Sequence, residues 1–452
     1  MREQSPEPVS GTDEGVRSAV GEADPTPVVR VGVIGLGNVG AALVRLLDDT
    51  ADDIAQRAGF RLEVTRAAVR DPGRERDVPL AADRITDDPA AVVSDPKVDV
   101  VCELIGGIDP AKQIVLAALD RGKPVVTANK ELLATMGRDL FDVAEQRGVD
   151  LAFEAAVGGG IPLVRALKES LAGERITRVV GIVNGTTNLI LTRMAEDGVS
   201  FEEALAEAQR LGYAEADPTA DVEGHDAAAK CAILASIAFN ARVVADDVFR
   251  EGISRVTQVD FRTAKELGFV IKPVAIAELE EGDVAVRVHP AMLPADHPLA
   301  AVRESFNAVF VEGERAGQLM LYGRGAGGDP TATAVAGDLV RVGRNLVLGG
   351  RAIGCTCYLE RHIRPMDDME AAYYLLLDVE DRPGVLAAVA GTFGAHDVSI
   401  KSVLQEDTGE GAQLVMITHR AREGDLQATV RELERLEPVH AVTSVLRVEQ
   451  IE

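Results

Sequence analysis

Asp226 and Lys230 stand four residues apart in the run Tyr213-Ala-Glu-Ala-Asp-Pro-Thr-Ala-Asp-Val-Glu-Gly-His-Asp-Ala-Ala-Ala-Lys-Cys. The second half of this run reads as a helix, with three alanines followed by Ile233, Leu234, Ile237 and Phe239 and no Gly or Pro. Residues four apart share a helix face, so a carboxylate would lie beside the only amine of the segment. Just upstream, Glu215, Asp217, Asp221 and Glu223 crowd a loop punctuated by Pro218 and Gly224. An amine held by carboxylates can donate a proton to a carbonyl oxygen, and free carboxylates nearby can hold the ammonium of an amino-acid substrate. Alone, the pair would be a solvated salt bridge at a helix start. The rest of the chain gives it more weight.

The first half of the chain carries a nucleotide signature. A short apolar strand, Val29 to Ile34, is followed by Gly35-Leu-Gly-Asn-Val-Gly40 and then by Ala-Ala-Leu-Val-Arg-Leu-Leu with helical periodicity. In such a strand, G-x-G-x-x-G, helix order the glycines permit a tight turn and a close backbone approach to a pyrophosphate at a helix N-terminus. Gly35, Gly37, Asn38, Val39 and Gly40 are therefore cofactor candidates. The second strand, around Leu62 to Val69, ends in Arg70-Asp-Pro-Gly-Arg-Glu-Arg76. An acid there binds the ribose hydroxyls of NAD, whereas Arg accepts the 2′-phosphate of NADP. Both are present, and the arginines, Arg70 first, tilt the reading toward NADP. Strands at Val98 to Ile105 and Lys123 to Thr127 run into Gly106-Gly107 and Ala128-Asn-Lys130. Their C-terminal ends are where a doubly wound sheet binds ligands, which aims Lys130 at the crevice as a second amine. The chain has nine lysines among 47 basic residues. Arg stays charged, so a lysine retained in an Arg-rich chain suits a transferable proton.

The elements that must position these groups follow in order. Ser200-Phe-Glu-Glu203 reads as a capping box opening a helix to about Leu211. Strands are expected near Val270 to Leu279 and Val284 to His289. Gln318 to Tyr322 should lead into a glycine loop, and a helix from Thr331 to about Leu348 should return to the nucleotide domain. Beyond Arg361-His-Ile-Arg-Pro-Met366, the pattern gives a strand at Tyr373 to Val379, a helix at Pro383 to Ala395, strands at Val398 to Gln405 and Gln413 to Thr418, a helix at Asp425 to Leu436, and a strand at His440 to Val448. That is a βαββαβ order.

A length of 452 residues implies several domains, and a net charge of −26 argues against nucleic acid and anionic membranes as partners. No apolar run reaches the ~20 residues that span a bilayer. The acidic, Pro/Ser/Gly-rich start reads as a disordered tail, neither signal peptide nor core. The four cysteines suit a reducing cytosol and a cytoplasmic location. Cys355-Thr-Cys357 is too sparse for zinc and reads as two thiols. His225 abuts Asp226 but points about 100° away on a helix, and no catalytic role is expected for it.

With these segments in hand, the chain resembles a monofunctional homoserine dehydrogenase with a C-terminal ACT domain. The matching segments are Val33-Ile-Gly-Leu-Gly-Asn-Val-Gly40, Val126-Thr-Ala-Asn-Lys130, Phe153-Glu-Ala-Ala-Val-Gly-Gly-Gly-Ile-Pro162, Gly181-Ile-Val-Asn-Gly-Thr-Thr-Asn188, Leu211-Gly-Tyr-Ala-Glu-Ala-Asp-Pro218 and Tyr322-Gly-Arg-Gly-Ala-Gly-Gly-Asp-Pro-Thr331. The resemblance implies an α/β chain with a Rossmann-type domain at 28–155, completed by about 325–355. It also implies an α+β substrate and dimerisation domain at 156–324, a linker at 356–371 and a ferredoxin-like ACT domain at 372–452, after a tail at 1–27. It makes Lys230 the proton donor, with Asp226 and Lys130 beside it, and gives substrate binding to Glu215, Asp226 and Lys130. Gly212 and Gly325 join the cofactor contacts, and Lys130 lies where cofactor and substrate meet. Sodium is implied at Glu154 and the backbone of Val157, Gly159 and Ile161. Arg324 departs from the pattern, because a smaller or uncharged residue is expected in that loop.

The implied reaction is the NAD(P)-dependent interconversion of L-aspartate 4-semialdehyde and L-homoserine, on the route to threonine, methionine and isoleucine. A lysine with an ordinary pKa of about 10.4 is mainly an acid at neutral pH, which favours reduction there and oxidation at alkaline pH. The turn Asp381-Arg-Pro-Gly-Val-Leu386 resembles an ACT ligand turn, so threonine is the expected effector and a homodimer or homotetramer the expected assembly. Truncation after about Met366 is expected to remove inhibition and spare catalysis. The competing reading is a non-enzymatic amino-acid sensor on a degenerate dehydrogenase scaffold.

Overall fold

The computed structural model describes residues 26–407 and 411–449, so most of the expected tail lies outside the described residues. Val28–Ile34 is the third strand of a six-stranded parallel sheet, between Arg61–Ala68 and Val100–Glu103. Ile85–Thr86 lies beyond Arg61–Ala68, and Val125–Thr127 and Leu151–Ala152 complete the other side. The strand order reverses at Val28–Ile34, which creates the crevice in which open α/β sheets bind ligands. Helix Asn38–Asp49 buries Leu43, Val44 and Leu47. The same core takes Ala332, Val335, Leu339 and Val342 from helix Gly328–Leu348, so a late segment closes over the first sheet.

The second sheet is mixed and has eleven strands. It begins at the edge strand Gly317–Arg324 and runs through Phe306–Gly313, Ile176–Ile182, Phe269–Glu280 and Asp283–Pro294. It then continues into the C-terminal region: Ala291 and Met292 pair in parallel with Arg447 and Val448. Val439–Val448, Glu370–Val379, Ala412–Thr418 and Ile400–Asp407 follow in that order. With helices Val385–Ala395 and Glu423–Leu433 this is the expected βαββαβ arrangement.

Both faces of the C-terminal sheet are covered. Tyr373, Leu375 and Leu377 meet Val389, Phe393 and Leu426 of its own helices. On the other face, Tyr374, Leu376, Val415 and Leu446 share a core with Met194, Ile253, Phe261 and Ile271 of the preceding region. Polar groups cross the same junction: Ser444 Oγ donates to the fully buried Asp260 at 2.7 Å. The C-terminal region is thus built into the sheet and core of the rest, which bears on the truncation expectation. At roughly 1.5–3 kcal/mol per large apolar side chain, exposing this face costs on the order of a whole domain's net stability. Removal of the region would therefore unsettle the fold as well as any regulation. Cys355 and Cys357 are joined as a disulfide rather than standing as the two expected thiols. Their Cα atoms lie 5.5 Å apart, within reach of such a bond. No helix among the described residues is long and apolar enough to cross a membrane.

Candidate active site

Helix His225–Ala238 is the centre of the site. Gly224 adopts a left-handed conformation at its N-cap, and nearly every residue of the helix is buried, Asp226 and Lys230 included. The expected i, i+4 contact is made: Lys230 Nζ donates to Asp226 Oδ2 at 2.7 Å. It also donates to the Val183 carbonyl at 2.8 Å. An ammonium has three N–H groups, so one remains for a ligand.

The other oxygen of Asp226 takes Lys130 Nζ. Lys130 is the first residue of helix Lys130–Arg147, and side chains at two strand ends fix its place. Glu103, buried at the end of its strand, accepts from Thr127 Oγ1 at 2.6 Å and from the amides of Ile105 and Gly106. Asn129 caps the helix through the Leu132 amide and donates to the Gly107 carbonyl at 2.6 Å. Burial alone would push the Asp226 carboxyl up, but the two ammonium groups hold it well below the usual carboxylate range. Lys130 is the converse: burial opposes its charge, and Asp226 outweighs burial and raises its pKa.

Sequence reasoning missed Asn184. Its Nδ2 donates to Asp226 Oδ2 at 2.8 Å and to Asp221 at 2.7 Å, while its Oδ1 caps helix Gly185–Asp197 through the Thr187 amide. One amide thus joins two carboxylates to a helix start. The only sequence signal was its place in Gly181-Ile-Val-Asn-Gly-Thr-Thr-Asn188. Asp221 is half-buried, and its carboxyl is raised by burial, reinforced by the nearby charge of Asp226.

These groups line a cleft of about 870 Å³ between the two sheets. Gly212 and Glu215 are on its wall, and the Glu215 carboxylate has no hydrogen-bond partner among the described residues. His225 is exposed and also lines the cleft. Gly325 to Gly327 close one side, with Gly328 packed against the Asn38 backbone. Arg324 is there too, its guanidinium 5.3 Å from the Phe306 ring, with no carboxylate partner among the described residues.

The glycine loop fits a dinucleotide. A Cβ on Gly40 would fall 2.0 Å from the Gly35 carbonyl, while Gly37 faces open space. Asn38 and Val39 begin helix Asn38–Asp49, whose free amides and dipole suit a phosphate. Arg70 stands exposed just past strand Arg61–Ala68, without an ion pair among the described residues. Asp71 instead accepts the Gly73 amide at 3.0 Å and so closes its own turn.

Glu154 is buried, and both its oxygens take backbone amides, from Val164 at 2.8 Å and Arg165 at 2.9 Å. Burial, reinforced by Asp338, raises its pKa. The nearby turn carries Val157, Gly159 and Ile161, with Gly158 and Gly159 at positive φ, and the Ile161 carbonyl already accepts from Leu163. Carboxylate and main-chain oxygens are the donors a hard cation takes, but here both Glu154 oxygens are engaged by amides and the Arg165 guanidinium lies 3.9 Å from one of them.

Comparison with known proteins identifies the family. Residues 35–154 match the family model for the homoserine dehydrogenase NAD-binding domain, 162–340 that for homoserine dehydrogenase, and 373–438 that for the ACT domain. The chain is 51% identical to a homoserine dehydrogenase of Mycobacterium tuberculosis over 432 residues, 93% of this chain and 98% of that protein. It is 50% identical to one of Corynebacterium glutamicum, over 94% of this chain and 97% of that protein. The crystal structure of a homoserine dehydrogenase from Thiobacillus denitrificans superposes with a TM-score of 0.87 at 40% identity, covering 94% and 98% of the two chains. A hyperthermophilic archaeal homoserine dehydrogenase in complex with NADPH superposes with a TM-score of 0.58 at 29% identity, covering 70% and 98%. A Rossmann sheet, a cleft built on a shared carboxylate between two lysines, and these matches along nearly the whole length lead to one conclusion: this chain is an oxidoreductase that belongs to the homoserine dehydrogenase family.

Proposed function

We propose that the protein interconverts L-homoserine and L-aspartate 4-semialdehyde with NADP as the preferred nicotinamide cofactor. The observation that carries this reading is Asp226, which holds Lys230 and Lys130 on opposite oxygens at the floor of the cleft. When bound, the cofactor supplies or accepts hydride at the substrate carbon. Lys230 gives its third proton to the developing alkoxide and takes it back in the reverse direction. Asp226 keeps that ammonium oriented, and Lys130 compensates the second oxygen. Glu215 and Asp221 hold the substrate ammonium. Arg70 takes the 2′-phosphate, because Asp71 is engaged in its turn. Gly35, Gly37, Gly40, Gly212 and Gly325 let backbone approach the cofactor. In this division of labour, residues 28–155 with 325–355 serve the cofactor, 156–324 the substrate and 372–452 regulation. A sensor with no catalysis would leave the paired lysines without a purpose.

Sodium is proposed at Glu154 with the carbonyls of Val157, Gly159 and Ile161, as a structural ion; stability rising with sodium but not with choline chloride would support it. Threonine is proposed as effector of the ACT region, acting in a cytoplasmic homo-oligomer of the threonine, methionine and isoleucine routes. Val403 and Leu404 on the outer strand Ile400–Asp407, with Leu386 beside the Asp381–Gly384 turn, are large and exposed, which suits pairing with a second copy. The decisive test of the catalytic reading is absorbance at 340 nm with homoserine and each cofactor. No NAD(P)H formation from homoserine would reject it.

A further inference from the structure

The Val183 carbonyl that accepts from Lys230 also accepts from the Asn307 side chain, at 2.9 Å. Asn307 lies on strand Phe306–Gly313, beside the strand Ile176–Ile182 that runs into Val183, and it lines the cleft while only 2% exposed. Chemistry sets its orientation, since only the NH₂ side of an amide can face a carbonyl oxygen. Its own oxygen is buried without a hydrogen-bond partner among the described residues. The amide is pressed on Gly325, where a Cβ would come within 2.0 to 2.6 Å of its atoms. An unpaired buried amide oxygen is costly, so the side chain is kept there against local stability.

We propose that Asn307 is a positioning residue for Lys230: by sharing the Val183 carbonyl it fixes that acceptor and limits how tightly it holds the ammonium. The inference rests on the reading of Lys230 as proton donor and acceptor. Two donors on one carbonyl compete for the same electron density, so each is held less firmly. The third N–H of Lys230 is then left to the substrate oxygen, and the proton can leave. This ammonium pairs with Asp226 on its own helix, shares that carboxylate with Lys130 of helix Lys130–Arg147, and interacts with the charge of Asp221 on Thr219–Val222. Asp246, Arg250 and Arg324 contribute to the same cleft from the other elements around it, together with His225 and the acids Glu131, Glu215 and Asp217. None of these changes in the variants below.

Homoserine oxidation needs Lys230 unprotonated, so its rate rises with pH as that proton is lost. Without the Asn307 amide, Val183 becomes a stronger acceptor and retains the proton, which moves the rising limb to higher pH. Asn307→Asp acts in the same direction, because it removes the donor and adds an anion. The experiment is the pH profile of kcat for homoserine oxidation by the full chain, as wild type, Asn307→Ala, Asn307→Asp and Lys230→Ala. Both Asn307 variants should move the limb up by roughly half to one pH unit, the worth of one hydrogen bond, and lower kcat below the limb about three- to tenfold. The cofactor KM should stay within about twofold. Asn307→Asp keeps the side chain's shape and decides the matter if Asn307→Ala does not fold. A limb left in its wild-type position, with kcat scaled equally at every pH, would overturn the proposal and make Asn307 a packing residue. A limb that survives in Lys230→Ala would overturn the role of Lys230 and this inference with it, whereas its loss there beside an unmoved limb in the Asn307 variants would overturn this inference alone.

Discussion

Lys130 and Lys230 belong to different helices and donate to opposite oxygens of the same Asp226 carboxylate. Each ammonium is thereby held by an acid that both must share, in a pocket where an unpaired charge would be costly. On the proposed reading, this arrangement would make proton transfer at Lys230 sensitive to groups that never touch substrate.

Lys230→Ala should lower kcat by about 10²–10⁴-fold, the usual worth of a positioned acid or base, while cofactor binding persists. Turnover by absorbance and cofactor binding by fluorescence or calorimetry measure the two effects separately. Retention of more than about a tenth of wild-type kcat would remove Lys230 from the mechanism.

Stability should depend on pH through the same carboxylate. The Asp226 carboxyl is held below its unfolded value, so it contributes stability that is present above about pH 4 and lost as pH falls further. Lys130 is raised, so its contribution is present below about pH 10.4 and lost as pH rises beyond that. Thermal melting of wild type and Asp226→Asn should show a steady gap between about pH 5 and 9 that narrows at both extremes. A gap of constant width from pH 2 to 11 would contradict this account.

How far the sequence reveals the site depends on the range of each contact. Asp226 and Lys230 were legible because one helix turn sets their distance, and the glycine loop was legible because strand, turn and helix are contiguous. Lys130 could be placed at the cleft from its strand end, but its bond to Asp226 crosses between two domains and has no local signal. The links from Asn184 to its two acids had no local signal for the same reason, since those partners lie 37 and 42 residues away. The βαββαβ order of the C-terminal region was readable from periodicity. Its fusion to the central sheet rests on two parallel residue pairs, at Ala291 and Met292, and nothing in either strand announces them. The Cys355–Cys357 bond depends on a local backbone path that the spacing alone leaves open.

Cofactor choice should rest on Arg70. Arg70→Ala should raise the KM for NADP at least about tenfold, as expected for a lost charge-assisted contact to phosphate, and leave the KM for NAD within about twofold. Steady-state rates with each cofactor at fixed homoserine decide it. An equal rise for both would mean that Arg70 serves the fold of the Asp71 turn rather than the phosphate.

Threonine inhibition, if it acts through the C-terminal sheet, has a physical route that a point substitution can cut. Arg447, on the strand that joins the two regions, is almost fully buried and pairs with Glu423 of the C-terminal helix at 2.7 Å and with Glu251 at 2.8 Å. The Glu251 amide donates to the Val288 carbonyl, and its neighbour Arg250 lines the active cleft. A shift of Val439–Val448 on effector binding would therefore pull on the cleft wall through Glu251. Truncation tests this poorly because the shared core goes with it, whereas Glu251→Gln keeps the core and loses only the charge. Basal kcat should stay within about twofold, and the threonine concentration for half-inhibition should rise about fivefold or more, at the lower end of a typical coupling of 1–3 kcal/mol. The measurement is homoserine oxidation against a threonine titration in wild type and Glu251→Gln, with melting temperatures to show that both are folded. Unchanged inhibition in a folded Glu251→Gln would rule out this route, and absence of inhibition in wild type would rule out threonine as the effector.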